Sequence, residues 1–323
     1  MDIKLSICIP TYNRADFLAA TLESILPQVT EDIEVVVSDN ASTDHTAAVV
    51  QSFQERLPHL VYFRQPANQG RDRNYLQAVR SAQGEYCWLL GDDDLLEEYA
   101  VSTLLNSHLT AKLSPDFVLL TGTVYDSHMK NILAYSADQI GVKEDIYTTD
   151  VPWFFQTFFR ESGLSVFVIR REKWMAVDPG KYLGTGLVYL AIVYEYLKLD
   201  SPVQVVARSS IKYRSGNASW SQDTLDILIG HMNSVLANLP ANYEPFKSEA
   251  LRRYQQRVPI TLKMLAALRS QKYYNLSLYR KYMQDYFRDD CKRSVLAYLI
   301  AVMPAFVMKS LQTIYRSRKM VQD

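Results

Sequence analysis

The chain is predicted to fold as an α/β protein with a mostly parallel central sheet flanked by helices, followed by a C-terminal helical extension. Three observations point there. Short apolar runs such as "LSICIP", "IEVVV" and "EYCWLL" lack the alternation of a strand with one wet face, so both faces must be covered. Between them lie segments of helical period, each about 10–15 residues long, as crossovers between parallel strands require. Beyond about Ser221 the strand patterns stop and helices rich in Tyr, Arg and Lys remain. With 323 residues available, the expected division is residues 1–220 and 221–323.

The elements follow in order. The strand "LSICIP" leads into an amphipathic stretch over 15–26. "IEVVVSDN" precedes "STDHTAAVVQSFQERL", where Ser42 or Thr43 is placed to cap a helix. "LVYFRQP" precedes the helical "GRDRNYLQAVRSAQG", and "EYCWLLGDDD" runs into a helix over 97–109. "DFVLLTGTVYDSHMKNILAY" reads as strand, turn and strand. "LSVFVIRREKW" and "VQVVARSSIKYR" add strands around an apolar helix over 187–199, so mixed strands extend the parallel sheet.

Apolar residues at 48% and charged residues at 22% describe an ordinary globular chain, not a disordered one. The opening "MDIKLSICIP" has no basic region and no cleavage site, which predicts a protein that stays in the cytoplasm. Cys8, Cys87 and Cys291 are odd in number and widely spaced, so they are expected as buried reduced thiols. The net charge of zero hides an asymmetry: residues 251–323 carry 15 Lys+Arg against 4 Asp+Glu. A basic tail on an acidic body implies an anionic partner, either a phospholipid surface or nucleic acid.

Parallel α/β sheets bind ligands at the carboxyl ends of their strands. Those ends read Pro10-Thr11-Tyr12-Asn13, Ser38-Asp39-Asn40, Arg64-Gln65-Pro66 and Gly91-Asp92-Asp93-Asp94, so polar residues converge on one edge. No glycine-rich dinucleotide fingerprint and no Walker sequence is present, so a nucleotide must be held by side chains and a metal. Carboxylates at a strand exit suit a hard divalent cation that bridges phosphates. An acidic helix start, favoured by the macrodipole, is the plainer reading of "DDD".

Three segments, in order, resemble the family 2 glycosyltransferases with the GT-A fold: "SICIPTYNR", "EVVVSDNASTDHT" and "NQGRDRNYLQAVRSAQGEYCWLLGDDD". They cover roughly residues 5 to 96, with a looser likeness to about Trp220, and "GDDD" is also similar to O-antigen abequosyltransferases of that family. The resemblance implies a GT-A nucleotide-diphospho-sugar transferase fold. It implies Pro10, Thr11 and Tyr12 lining the base, Asp39 hydrogen-bonding it, and Asp92 near the ribose. Asp93 would hold Mn²⁺ or Mg²⁺ against the diphosphate. Arg14, Asn40 and Asn68, in the matching segments, belong with the donor site.

Gly91 stands where the family commonly has an aspartate, which leaves Asp92 with Asp94 as a second way to read the metal motif. Arg71 and Arg73, at a helix start, suit phosphate oxygens. Lys212, Arg214 and Asn217 form a basic segment able to close over the donor.

Inverting members carry a Glu-Asp pair whose aspartate is the base, and here "KYLGTGLVYL" has Thr185-Gly186 in that place. Glu161 and Asp178 are the substitutes, and a retaining reaction is the alternative. The expected function is transfer of a sugar from a nucleotide-diphosphate donor to a glycan hydroxyl, lipid-linked as in bacterial surface polysaccharide. A non-catalytic sugar-nucleotide-binding relative is the second reading. A nucleic-acid-binding protein is the third, against which the acidic site repels a polyanion.

In the tail, the apolar run over 295–308 is shorter than the roughly 20 residues of a membrane-spanning helix and is broken by Pro304. Its flanking Lys292, Arg293, Lys309, Arg316, Arg318 and Lys319 predict an interfacial helix on the inner face of the cell membrane. Packing into the core or against a second subunit is the rival reading.

Overall fold

The computed structural model describes residues 3–110, 112, 114–159, 161–216, 221–257 and 260–311. Its first strands, β1 (Leu5–Thr11) and β2 (Ile33–Asp39), are buried along their whole length, as their continuous apolar runs demand. β3 (Leu60–Arg64) and β4 (Tyr86–Leu89) complete a parallel group in the order β3-β2-β1-β4. Helices α1 (Ala15–Ile25), α2 (Thr46–Phe53) and α3 (Arg71–Arg80) make the crossovers.

The second half of the sheet is mixed. It contains β5 (Leu95–Leu96), β6 (Phe117–Tyr125), β7 (Ile132–Tyr135), β8 (Ile146–Thr148), β9 (Phe167–Arg170) and β10 (Val203–Arg214). β9 runs antiparallel between β4 and β6, while β10 runs parallel to β6 and antiparallel to β5 and β8. β6 and β7 form the hairpin read from the sequence.

Local details depart from expectation where tertiary partners intervene. Neither Ser42 nor Thr43 caps α2. Asp44 does, accepting from the Thr46 N–H and, through its other oxygen, from the Ala15 N–H at the start of α1, both at 3.1 Å. Ser42 is engaged elsewhere, its Oγ accepting from the Asn13 N–H at 2.8 Å. The helix expected over 97–109 begins only at Ala100, because Leu95–Leu96 pair with β10 and the Glu97 N–H donates to Ser210 O at 3.0 Å. Cys8 and Cys87 are buried, but Cys291 is exposed as the first residue of the helix Cys291–Val302.

The chain forms two compact units, Met1–Asn217 with Val235–Arg253, and Ala218–Ser234 with Tyr254–Asp323. This departs from a division at residue 220. Residues 235–253 belong to the first unit because Tyr243 inserts among Phe155 and Tyr194 and donates to Leu197 O at 3.1 Å. The second unit has its own core of Leu225, Ile260, Leu265, Tyr274, Met283 and Phe287.

One buried charge joins α3 to the loop over 183–188. Asp72, in the first turn of α3, accepts from the N–H groups of Gly184 at 2.7 Å and Gly186 at 3.0 Å. Its other oxygen faces the Val188 N–H at the start of the helix Val188–Tyr196, 3.5 Å away. Asp72 thereby does the work of a cap from another element. Replacing it by alanine strands these donors, and Asp72→Ala is expected to lower the unfolding free energy in urea by about 2–3 kcal/mol. A loss below about 0.5 kcal/mol would show that water serves those donors equally well.

Candidate active site

Register places the site. Cys8 on β1 pairs with Leu89 on β4, and Thr11 pairs with Asp39 on β2, so the three chains leave the sheet together. Three residues beyond the first pair, Thr11 meets Asp92, its Oγ1 donating to Asp92 Oδ2 at 2.7 Å. Arg14, at the entrance to α1, donates from Nε to Asp92 Oδ1 at 2.9 Å and from its terminal nitrogen to Asp93 Oδ2 at 2.6 Å. Its guanidinium lies over the Phe17 ring.

The other side of the turn is held as closely. Ser165, just before β9, donates from Oγ to Asp94 Oδ2 at 2.6 Å and accepts from the Gly91 N–H at 2.9 Å. The Arg214 N–H points at Asp94 Oδ1 at 3.3 Å, and its side chain reaches the Asp93 carbonyl at 3.3 Å and Ser127 O at 3.0 Å. Thr21 Oγ1 lies within 3.0 Å of both the Asp92 and the Asp94 carbonyl. A Cβ at Gly91 would stand 3.1 Å from the Asp94 carboxylate and 3.2 Å from that of Asp93. A side chain there would require the neighbouring carboxylates to shift by a few tenths of an ångström.

The three carboxylates are therefore not equivalent, which bears on the two readings of the metal motif, Asp93 or the pair Asp92 and Asp94. Both oxygens of Asp92 and both of Asp94 are engaged by protein donors. The Asp92 side chain is 10% exposed and that of Asp93 21%, so Asp93 is the one turned outward. Burial pushes Asp92 up to about 7, with the Arg14 charge opposing it and Asp93 adding to it. Burial, then the neighbouring Asp93, raises Asp94 to about 7 as well.

Among the described residues no group of three or more His, Cys, Asp or Glu side chains could hold a metal ion. The site does not fit a cation caged by protein ligands alone. It fits one held by a single carboxylate, Asp93, with water and phosphate oxygens completing the shell, the usual habit of Mg²⁺ beside phosphates.

The base-binding expectation is corrected at Asp39. This carboxylate is fully buried, accepting from the Ser42 N–H at 2.8 Å and from the Tyr62 hydroxyl at 2.7 Å. It shapes the turn after β2. Asn40 and Asn68 are bonded to each other at 2.9 Å and tie down the segment before α3. Pro10 and Thr11 are buried in β1, whereas Tyr12 is 42% exposed. Arg71 lies along Gly186, and Arg73 is exposed.

Lys212 is paired with Glu97 at 3.4 Å and Arg214 is built into the acidic turn, so neither is part of a loose closing segment. Asn217 of that segment lies outside the described residues, as do Arg316, Arg318 and Lys319. Of the two candidate bases, Glu161 lies four residues before Ser165, which bonds Asp94, and Gly163 between them packs on the Tyr213 hydroxyl. Tyr213, whose hydroxyl is raised well above its usual range first by burial, feels the charges of both Asp94 and Glu161.

Asp178 does not belong there. β9 runs antiparallel to β4, so Arg170 pairs with Tyr86, and the helix Arg171–Met175 follows at the amino end of β4. Asp178 comes next, exposed, holding the Gly180 N–H at 3.0 Å on the opposite edge of the sheet. The residues that sequence reading missed are Ser165, Thr21 and Asp72. "SGLSVFVIRR" does offer a small hydroxyl at a strand entrance, but nothing local ties it to Asp94.

A group of parallel strands ending in an acidic turn, with Arg14 threaded through it, agrees with the GT-A fold of the similar solved structures. Residues 6–160 match the family described as Glycosyl transferase family 2. That match covers just under half of the chain, which is similar to the family there, and the fold is the GT-A fold. It is 29% identical over 201 residues to the abequosyltransferase RfbV of Salmonella typhimurium, covering 58% of this chain and 60% of that protein. It is 40% identical over 103 residues to a GalNAc(5)-diNAcBac-PP-undecaprenol beta-1,3-glucosyltransferase of Campylobacter jejuni, covering 32% of this chain and 33% of that one. The chain thus spans less than two thirds of the length of these curated relatives. The fold is shared with a mannosyltransferase of Pyrobaculum calidifontis solved with GDP-Man and Mn²⁺, at a TM-score of 0.55 and 15% identity, over 93% of this chain and 86% of that one.

The raised carboxylates make stability depend on pH with a definite sign. Between the ordinary carboxylate range and about 7 the folded protein keeps protons on Asp92 and Asp94 that the unfolded chain has released. Stability is therefore greatest below that range and is lost as pH rises through about 7. Without added metal, the unfolding free energy in urea is expected to be lower at about pH 8 than at about pH 5, and Asp92→Asn should flatten the slope. A slope unchanged by the substitution would remove the assignment.

Proposed function

We propose that this protein transfers a glycosyl group from a nucleotide-diphosphate sugar to a hydroxyl of a glycan acceptor, with Mn²⁺ or Mg²⁺ held by Asp93. The observation that carries the reading is the acidic turn after β4, which turns one carboxylate outward at the carboxyl edge of a family 2 domain. The exposed ring of Tyr12 offers a face for the base, and Arg71, beside Gly186, offers a planar donor to phosphate oxygens. When bound, the cation offsets negative charge on the diphosphate as it leaves.

The protein's own groups supply the rest. Arg14 holds Asp92 and Asp93 in position ahead of the donor. Glu161 is assigned the acceptor's proton: as the acceptor oxygen bonds to the anomeric carbon, the bond to the diphosphate breaks and its electron pair leaves with the nucleotide. The acceptor proposed is lipid-linked, at the cytoplasmic face of a membrane. In support, the Campylobacter relative's name places an undecaprenol-linked acceptor in that protein. The second reading, a binding relative without transfer, is favoured by Thr185-Gly186, since the Gly184 and Gly186 N–H groups bind Asp72 where a catalytic pair is expected.

A panel of nucleotide sugars screened by thermal shift should raise the melting temperature for one donor with Mn²⁺ and much less in EDTA, since a ligand of the folded state adds to its stability. Equal shifts in both would remove the metal. Asp93→Ala is expected to cut transfer by about 100-fold or more while the melting temperature holds; turnover like that of the unaltered protein would sink the role. Glu161→Gln should lower kcat by about 10²–10⁴-fold with donor KM unchanged. If donor binds but no acceptor is glycosylated by the unaltered chain, the binding reading prevails.

A further inference from the structure

The helix Cys291–Val302 buries its small residues and exposes its large ones. Ala297 and Ala301 face the second unit's core with Tyr274, Met283 and Phe287. Val295, Leu296, Leu299 and Val302 face outward, each between 44% and 57% exposed. An ordinary surface helix has its apolar stripe the other way round. A second arm, Ala305–Leu311, follows at 115° to the first and carries Phe306, which is 73% exposed.

This exposure is built in. Met303 is extended and Pro304 has no N–H to continue the helix. Arg269 donates to the Met303 carbonyl at 2.6 Å and to the Tyr274 carbonyl at 3.0 Å, which fixes the bend from within the unit. The Tyr274 hydroxyl donates to Ala297 O at 3.2 Å, and Tyr279 and Ser294 pair their hydroxyls at 3.0 Å. The inward face is thus pinned by polar contacts, which leaves the outward orientation of the leucine and valine side chains no freedom to reverse.

We propose that this bent helix pair docks the protein on an anionic phospholipid surface, with Val295, Leu296, Leu299, Val302 and Phe306 in the boundary between headgroups and acyl chains. Charge selects that occupant. Between 291 and 311 the chain carries Lys292, Arg293 and Lys309 and no acidic residue, and Arg316, Arg318 and Lys319 follow in sequence against Asp323 alone. A second copy of the same face would bring like charges together. Anionic headgroups complement them, and amphipathic helices with this division bind lipid at the boundary. Neither arm by itself is long enough to cross the bilayer. The longer has 12 residues, about 18 Å at the helical rise, against roughly 30 Å of hydrocarbon. Among the described residues no single helix is long and apolar enough to cross a membrane. The lipid-linked acceptor proposed above would lie at such a surface, but the docking is independent of transfer.

Flotation of the full chain with vesicles, in the absence of donor, tests this. The chain should float with mixed phosphatidylcholine–phosphatidylglycerol vesicles and be recovered roughly tenfold less with phosphatidylcholine alone. The double substitution Leu299→Glu with Phe306→Glu should cut recovery on the mixed vesicles by roughly tenfold while leaving the donor-induced thermal shift intact. Both side chains are exposed, so the fold should survive, and circular dichroism checks it. Equal recovery of the two proteins would overturn the proposal. So would a dimer in light scattering that the double substitution splits, with no vesicle capture by either, since the face would then belong to a second copy.

Discussion

Everything at the site depends on keeping three adjacent carboxylates at the mouth of a buried strand. Left alone they would repel one another and lose hydration. The fold answers with donors from several separate places: Thr11 at the end of β1, Arg14 before α1, Thr21 in α1, Ser165 before β9 and Arg214 at the end of β10. Each comes from an element that the sheet's order brings to the same edge. The acidic turn is thus the point at which the parallel and mixed halves of the sheet are joined.

A division of labour follows. Asp92 and Asp94 serve as structural groups, buried and fully engaged, and their raised affinity for protons reflects that burial. Asp93 alone is presented outward. Asp39 and Asp72 repeat the theme, since each is a buried carboxylate whose oxygens go to backbone or hydroxyl donors. Such groups hold loops in fixed positions, and preorganised loops let a site bind a charged ligand without reorganising first. Counting acids in a motif therefore overstates how many can meet a metal.

The second unit follows a different logic. Its core is supplied by Leu225, Ile260, Leu265, Leu268, Tyr274, Met283 and Phe287, and the helix Cys291–Val302 contributes alanines to it. The larger apolar side chains of that helix are left facing away. In a water-soluble domain this arrangement costs solvation, and it becomes favourable only when another surface covers it.

Much of the architecture was legible from the chain alone because it is local. The unbroken apolar runs of β1, β2 and β4 announce strands covered on both faces, and the spacing of helical segments announces parallel crossovers. From these it followed that Thr11, Asp39 and Asp92–Asp94 would meet at one edge, and that the tail would be helical, apolar and basic. The sequence did not reveal which oxygen faces which donor. Asp39 reads as a base-binding group until Tyr62 is seen to occupy it, and Asp178 reads as a base until the reversed direction of β9 carries it to the far edge. Ser165 and Asp72 gave no signal, since their partners lie far along the chain. Periodicity and composition are properties of neighbouring residues, so they can be read in one dimension. Strand direction, register and burial are settled by packing among distant segments, and only these decide whether a carboxylate supports the fold or meets a ligand.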